Sequence, residues 1–246
     1  MFTADQRDHV RDRVLALAEA DGRVVAAAVV GSLADAPGDA YSDLDLAFGV
    51  VDPDEVASVL AAFSGHMTSA HDAIHLFDLP HRTWIYRVFL LPGCLQVDLS
   101  FAPAADFGPR GPRFRLLFGS IGREEYPEPP DRRFLAGLAA HHAVRARFCI
   151  TRGRAWQAVH WLGALREHTL ELTCIRHGLE PAYGRGLDQL PPDELAVAQR
   201  LLIASAEPAE LERALRECVE ALLRETAAIP GMPAALAGEL RGLPAG

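Results

Sequence analysis

Val30-Gly31-Ser32, ten intervening residues, and then Asp43-Leu44-Asp45-Leu46 form the stretch on which the reading of this chain turns. Val24 to Val30, just ahead of it, is a short valine-rich apolar run, too brief for a buried helix and suited to a strand covered on both faces. Asp43 to Phe48 alternates polar and apolar residues, the pattern of a half-buried strand. Side chains on a strand alternate between faces, so Asp43 and Asp45 project together while Leu44 and Leu46 point into a core. Two carboxylates then share one site. They repel each other unless a cation sits between them, and a hard divalent ion with oxygen ligands suits them, magnesium being the expected one. Gly31 lets phosphate oxygens approach the main chain, and Ser32 adds a hydroxyl and an amide donor. A third carboxylate is available at Asp98, in Leu95-Gln96-Val97-Asp98-Leu99, to complete the metal shell or to take a proton.

The remaining pattern expands this into an α+β chain. Ala4 to Ala20 has apolar residues at helical spacing and is broken by Asp21-Gly22. Asp52 to Phe63 reads as a helix and Ile74 to Leu79 as a strand. Thr83 to Leu91 and Cys94 to Phe101 read as a hairpin about Pro92-Gly93. From Pro103 to Pro130 the composition turns to Pro, Gly and Arg, which prevents any long regular element. Helices follow at Asp131 to Ile150, Ala155 to His177, Asp193 to Ser205 and Pro208 to Thr226, with a loosely held tail after Ile229. The expected organisation is a mixed-sheet domain over 1–107, a linker over 108–130 and a helical bundle over 131–246.

The chain has 246 residues, half of them apolar, and a formal net charge of −9. All 24 basic residues are arginine, which excludes lysine Schiff bases, lysine P-loops and the protein-kinase lysine. An acidic chain exerts no long-range pull on nucleic acid, so nucleic acid is not an expected partner and a cationic small molecule fits better. No run reaches the ~18 apolar residues of a membrane span. Residues 1–20 carry charges every few positions and lack an apolar signal core, so a cytoplasmic protein is expected. The four cysteines lie far apart, with no zinc-knuckle or dithiol spacing, and read as reduced and mostly buried. His66, His71, His75 and His81 are irregularly spaced and read as surface or loop histidines, not as a zinc site.

At these residues the sequence resembles the DNA polymerase β superfamily of nucleotidyltransferases. The signature there is an apolar residue, Gly-Ser, a loop of about ten residues and Asp-apolar-Asp-apolar, matched here by Val30, Gly31, Ser32, Asp43, Leu44, Asp45 and Leu46. The resemblance implies a nucleotidyltransferase domain that moves a nucleoside monophosphate from an NTP, with ATP expected, to an acceptor hydroxyl and releases pyrophosphate. It implies Mg²⁺ on Asp43, Asp45 and Asp98, and triphosphate contacts from Gly31, Ser32 and Ser42. Asp98 would act as ligand or base. The C-terminal half looks like the helical domain of aminoglycoside and lincosamide nucleotidyltransferases, on Trp156, Trp161, Leu165, His168, Leu172 and Tyr183-Gly184-Arg185-Gly186-Leu187-Asp188. That likeness implies an antibiotic acceptor lying between the two domains, Glu167 or Glu171 as competing bases, and Arg185 on the triphosphate. Monomer and homodimer both fit.

Two other readings use the same residues. One keeps the chemistry and takes a protein or tRNA acceptor, as antitoxin-like nucleotidyltransferases do, through the arginines around Arg145. The other is a nucleotide-binding regulatory module without turnover, against which the full set of three carboxylates weighs. Arginines such as Arg145 and Arg147 on an amphipathic helix are more commonly a solvated face paired with acids.

Overall fold

The computed structural model describes residues 1–35, 38–126, 128 and 130–243, and the chain divides into two compact units, Met1–Glu128 and Pro129–Gly246.

The first unit is one mixed six-stranded sheet with two helices on one face. Helix α1 (Ala4–Ala20) starts at a capping box, in which the Thr3 hydroxyl accepts from the Gln6 amide and the Gln6 side chain accepts from the Thr3 amide. Strand β1 (Val24–Val30) is followed by a 3-10 turn at Gly31–Leu33 and by β2 (Leu44–Val50). Helix α2 (Val56–His71) runs eight residues beyond the expected end at Phe63. Its buried stripe Val59, Leu60, Phe63, Met67 continues past Gly65, whose missing side chain leaves only open space. The strands β3 (Ile74–His81), β4 (Trp84–Leu91) and β5 (Leu95–Pro103) form a meander. The sheet order is β3-β4-β5-β2-β1-β6, in which β2 and β5 are parallel and the other neighbours antiparallel.

Strand β6 (Phe114–Phe118) lies inside the segment expected as linker. It closes the sheet against β1, pairing Val30 with Phe114. The proline-rich composition concealed it, because an edge strand of five residues fits between Pro112 and Gly119 without needing a proline amide.

Alternation divides the sheet chemically. Leu44, Leu46, Phe48, Val97, Leu99 and Phe101 face α1 and α2 and are fully buried. Phe48, Phe63 and Phe101 meet there with ring centroids 5.1–5.2 Å apart. On the opposite face Ala26, Ala28, Ala47, Ala102, Trp84 and Phe107 make a smaller core, small side chains lying under large rings.

The second unit is helical: α3 (Arg132–Thr151), α4 (Ala155–Arg176), α5 (Pro192–Arg200), α6 (Pro208–Ala227) and α7 (Ala234–Gly242). A stripe of Ala136, Ala139, Ala140, Ala143 and Ala146 lets α3 lie close to its neighbours, and Leu162, Leu165, Leu215 and Leu222 fill the centre. Helix α5 ends five residues before the expected Ser205, and the tail expected to be loose forms α7 and buries Leu240. Trp161 is partly buried against this core while Trp156 is exposed, so neither is a fully buried residue. Among the cysteines, Cys149, Cys174 and Cys218 are buried, Cys94 is exposed, and all four are free thiols.

Candidate active site

The site is built at the end of β1, where the chain must turn sharply while leaving room for an acid. Gly31 takes φ +68°, a conformation that costs a side-chain-bearing residue about 1–2 kcal/mol, and its amide donates to the Arg113 carbonyl at 3.2 Å. A Cβ at Gly31 would collide with the Asp45 carboxylate. The glycine therefore permits a carboxylate to lie directly against the main chain. The Ser32 hydroxyl beside it is buried and has no hydrogen-bond partner. Leaving a buried hydroxyl unpaired costs about 1–3 kcal/mol, which an incoming acceptor oxygen would relieve.

Asp45 and Asp98 are register partners on the parallel strands β2 and β5, so their side chains leave the same face about 4.8 Å apart in backbone spacing. Asp43 lies one residue ahead of β2 and, two positions from Asp45, on that face as well. Asp98 is half-buried. Burial pushes its carboxyl above the usual carboxylate range, the Gln96 amide donating at 3.1 Å opposes this, and the negative charge of Asp43 raises it further. Asp98 thus feels the charge of Asp43, while among the described residues no three His, Cys, Asp or Glu side chains stand close enough to hold a metal ion. The same row continues outward from Asp98 through Val88 on β4 to Phe77 on β3. Phe77, with Ile74 and Leu79, forms an exposed apolar margin beside the acids.

The approach to Asp43 is held by polar contacts. In the segment 38–42 the Asp39 carboxylate accepts from the Tyr41 amide at 2.9 Å and from the Ser42 hydroxyl at 3.0 Å, and the Ser42 hydroxyl accepts from the Asp39 amide. These contacts hold the Asp39 carboxyl below its ordinary value, the Tyr41 amide contributing most. Ser42, expected to contact phosphate, is thus part of a turn. Arg7 on α1, almost wholly buried, donates to the carbonyls of Asp39 at 2.7 Å and Ser42 at 3.4 Å. Arg115 on β6 does the same for the turn after Gly31, donating to Leu33 and Ala34 carbonyls at 3.3 and 3.1 Å. Sequence reasoning missed both arginines. For Arg7 a signal existed: it occupies the first place of the buried stripe Arg7, Val10, Val14, Ala18, where an apolar residue belongs.

The structure therefore gathers Gly31, Ser32, Asp43, Asp45 and Asp98 in the first unit. Arg185 belongs to the second unit, where it is exposed and its guanidinium lies 5.2 Å from the Tyr183 ring centre. Glu167 and Glu171 are on α4 and line a cavity of about 410 Å³ with Leu170, Tyr183, Leu187 and Leu202. The Glu171 carboxylate also accepts from the His168 imidazole at 2.8 Å. Arg145 and Arg152 lie over the rings of Trp161 and Phe148, and among the described residues no ion pair joins the arginines of α3 to an acid, contrary to the expected paired face. His75 pairs with Asp78, and the imidazoles of His66 and His71 meet edge to face.

No protein-family model matches the sequence, and no curated protein does. Among solved structures, the chain is similar to an aminoglycoside 6-adenyltransferase from Bacillus subtilis, at 13% identity over 99% of each chain with a TM-score of 0.41. It is also similar to a nucleotidyltransferase-like protein from Exiguobacterium sibiricum, at 14% identity over 96% of this chain and 78% of the other, with a TM-score of 0.44.

Proposed function

We propose that this chain transfers a nucleoside monophosphate from an NTP, with ATP the expected nucleotide, to a hydroxyl of a small molecule and releases pyrophosphate. The observation that carries the reading is the in-register pair Asp45 and Asp98, joined by Asp43 on the face above Gly31-Ser32. Two aspartates together with the phosphates of a bound nucleotide supply the hard-oxygen chemistry that suits magnesium. Asp43 and Asp45 would hold the ion, which when bound neutralises the triphosphate and the charge that develops on the leaving pyrophosphate. Gly31 lets the Asp45 carboxylate lie against the main chain beside the site, and the unpartnered Ser32 hydroxyl would donate to a phosphate oxygen. Asp98, whose carboxyl is pushed upward by burial, receives the proton of the acceptor hydroxyl. The acidic chain, at a net charge of −9, favours a cationic hydroxylated amine such as an aminoglycoside as acceptor.

The test is pyrophosphate release from ATP, GTP, CTP and UTP with Mg²⁺ against aminoglycosides and lincosamides, with Asp45→Asn as control. Acceptor-dependent release lost in the variant supports the reading and identifies nucleotide and acceptor. NTP binding without release for any small acceptor would replace it with the macromolecular or regulatory readings, and absence of NTP binding would remove the roles given to Asp43 and Asp45.

A further inference from the structure

Arg7 is the one arginine in α1 that faces inward. Its relative exposure is 2%, at a helix position that its neighbours Val10, Val14 and Ala18 fill with apolar side chains. Burying a guanidinium is unfavourable unless its donors are matched. Here they reach main-chain carbonyls more than thirty residues away, Asp39 at 2.7 Å and Ser42 at 3.4 Å, and Nε lies 3.4 Å from an Asp8 carboxylate oxygen.

The carbonyls it holds are the two ends of the turn that delivers Asp43. Between them the Asp39 side chain closes onto the Tyr41 amide and the Ser42 hydroxyl. At Gly38, with φ +69°, a Cβ would stand 2.9 Å from the Ser42 hydroxyl, so the turn is packed closely against its own start. The peptide after the Ser42 carbonyl is that of Asp43, so a donor on this carbonyl fixes the plane from which the Asp43 side chain departs. Both carbonyls are met by the two N–H groups of Nη1, held in the plane of a guanidinium that the helix keeps buried. The sheet fixes Asp45 and Asp98 through ladder bonds, whereas Asp43 precedes the first residue of β2 and depends on this turn for its position.

We propose that Arg7 is a positioning residue. It clamps residues 39–42 and so sets where Asp43 stands relative to Asp45, the pair that with a nucleotide's phosphates would hold a divalent cation. The inference rests on the nucleotidyl-transfer reading for its consequence in catalysis, and on the geometry of the turn for its mechanism.

Three measurements on wild type, Arg7→Met and Asp39→Ala test it: amide hydrogen exchange over residues 38–43, Mn²⁺ binding by calorimetry, and Mg²⁺ titration of pyrophosphate release. Arg7→Met keeps the apolar volume of the stem and removes the donors. Asp39→Ala loosens the same turn while leaving the guanidinium buried, so it reports even where Arg7→Met fails to fold. The expected result is faster exchange at 40–43 in both variants, with Mn²⁺ affinity and activity at limiting Mg²⁺ lowered about tenfold or more. NTP KM at saturating Mg²⁺ stays within about twofold of wild type, a split that general destabilisation does not produce. Unchanged exchange over the turn, or a loosened turn with wild-type Mn²⁺ affinity, would overturn the proposal. Failure of the underlying reading has a different signature: wild type then releases no pyrophosphate with any NTP, while the exchange and Mn²⁺ measurements still decide whether Arg7 presents Asp43.

Discussion

Asp45 on β2 and Asp98 on β5 stand opposite each other on neighbouring parallel strands, in a register that runs unbroken from Leu44 and Val97 to Val50 and Pro103. Asp98 pays for its place there: burial first, and then the nearby Asp43 charge, push its carboxyl above the ordinary range. Asp98→Asn removes one of the repelling charges and keeps the shape. The metal-free protein should therefore become more stable by about 1 kcal/mol, within the ordinary range of single-site effects. Pyrophosphate release should fall to background. Thermal melts in a chelator, alongside the release assay, check both, and a destabilised Asp98→Asn would show that Asp98 makes a structural contact worth more than the repulsion it causes.

Gly31→Ala should combine backbone strain with a direct collision. The φ of +68° disfavours alanine, and its methyl would enter the space of the Asp45 carboxylate. A loss of about 1–3 kcal/mol in urea unfolding is expected, together with loss of nucleotide binding. Gly65→Ala is the internal contrast: Gly65 lies within α2 with nothing near its missing side chain, so the same change there should add about 0.5–1 kcal/mol.

The two strands β1 and β2 that flank the turn at Gly31 were legible because each signal is local. Alternation at Asp43 to Phe48 placed Leu44 and Leu46 inward, and the valine run ending at Val30 marked a strand buried on both faces. What escaped reading depends on contacts distant in sequence. Strand β6 exists through its pairing with β1, in a segment whose composition favours turns. Helix α2 outran its expected end because Met67, one turn past Phe63, finds a place in the core. Arg7 was passed over as one charge among several on α1, although its register with Val10 and Val14 set it apart.

In the second unit, the carboxylate of Glu225 is 2% exposed and is satisfied by Thr173 at 3.0 Å and by two donors of Arg176 at 2.9 and 3.0 Å. Arg176 also reaches Glu194 at 2.6 Å, and its guanidinium is held charged by these acids, Glu225 most strongly. Arg176→Met leaves a buried carboxylate without its cation, so unfolding free energy should fall by about 3–5 kcal/mol. The double change Arg176→Met with Glu225→Leu should recover most of this, because an apolar pair of similar volume carries no desolvation cost. Chemical denaturation of the four proteins of this cycle measures the coupling, and additive losses would contradict it.

Two partly buried histidines give the protein a predictable response to mild acid. His142 on α3 packs between Trp161 and His168, each ring centroid 5.3 Å away, and its Nδ1 is buried without a partner. Burial lowers its pKa from 6.5, and the neighbouring His168, His141 and His160 lower it further. His71 on α2 is lowered in the same way, by burial first and then by His66, Arg13 and His9. A histidine whose folded pKa is depressed binds its proton more readily in the unfolded chain. Its contribution is therefore whole above pH 6.5 and is lost as pH falls from 6.5 toward the lower folded value, below which the loss stops growing. Melting temperature should decline as pH is lowered from about 8 to about 5. His142→Phe, which keeps the ring contact with Trp161 and cannot take a proton, should make that decline shallower, and so should His71→Phe. A pH slope left unchanged in both variants would assign the acid sensitivity to carboxylates instead.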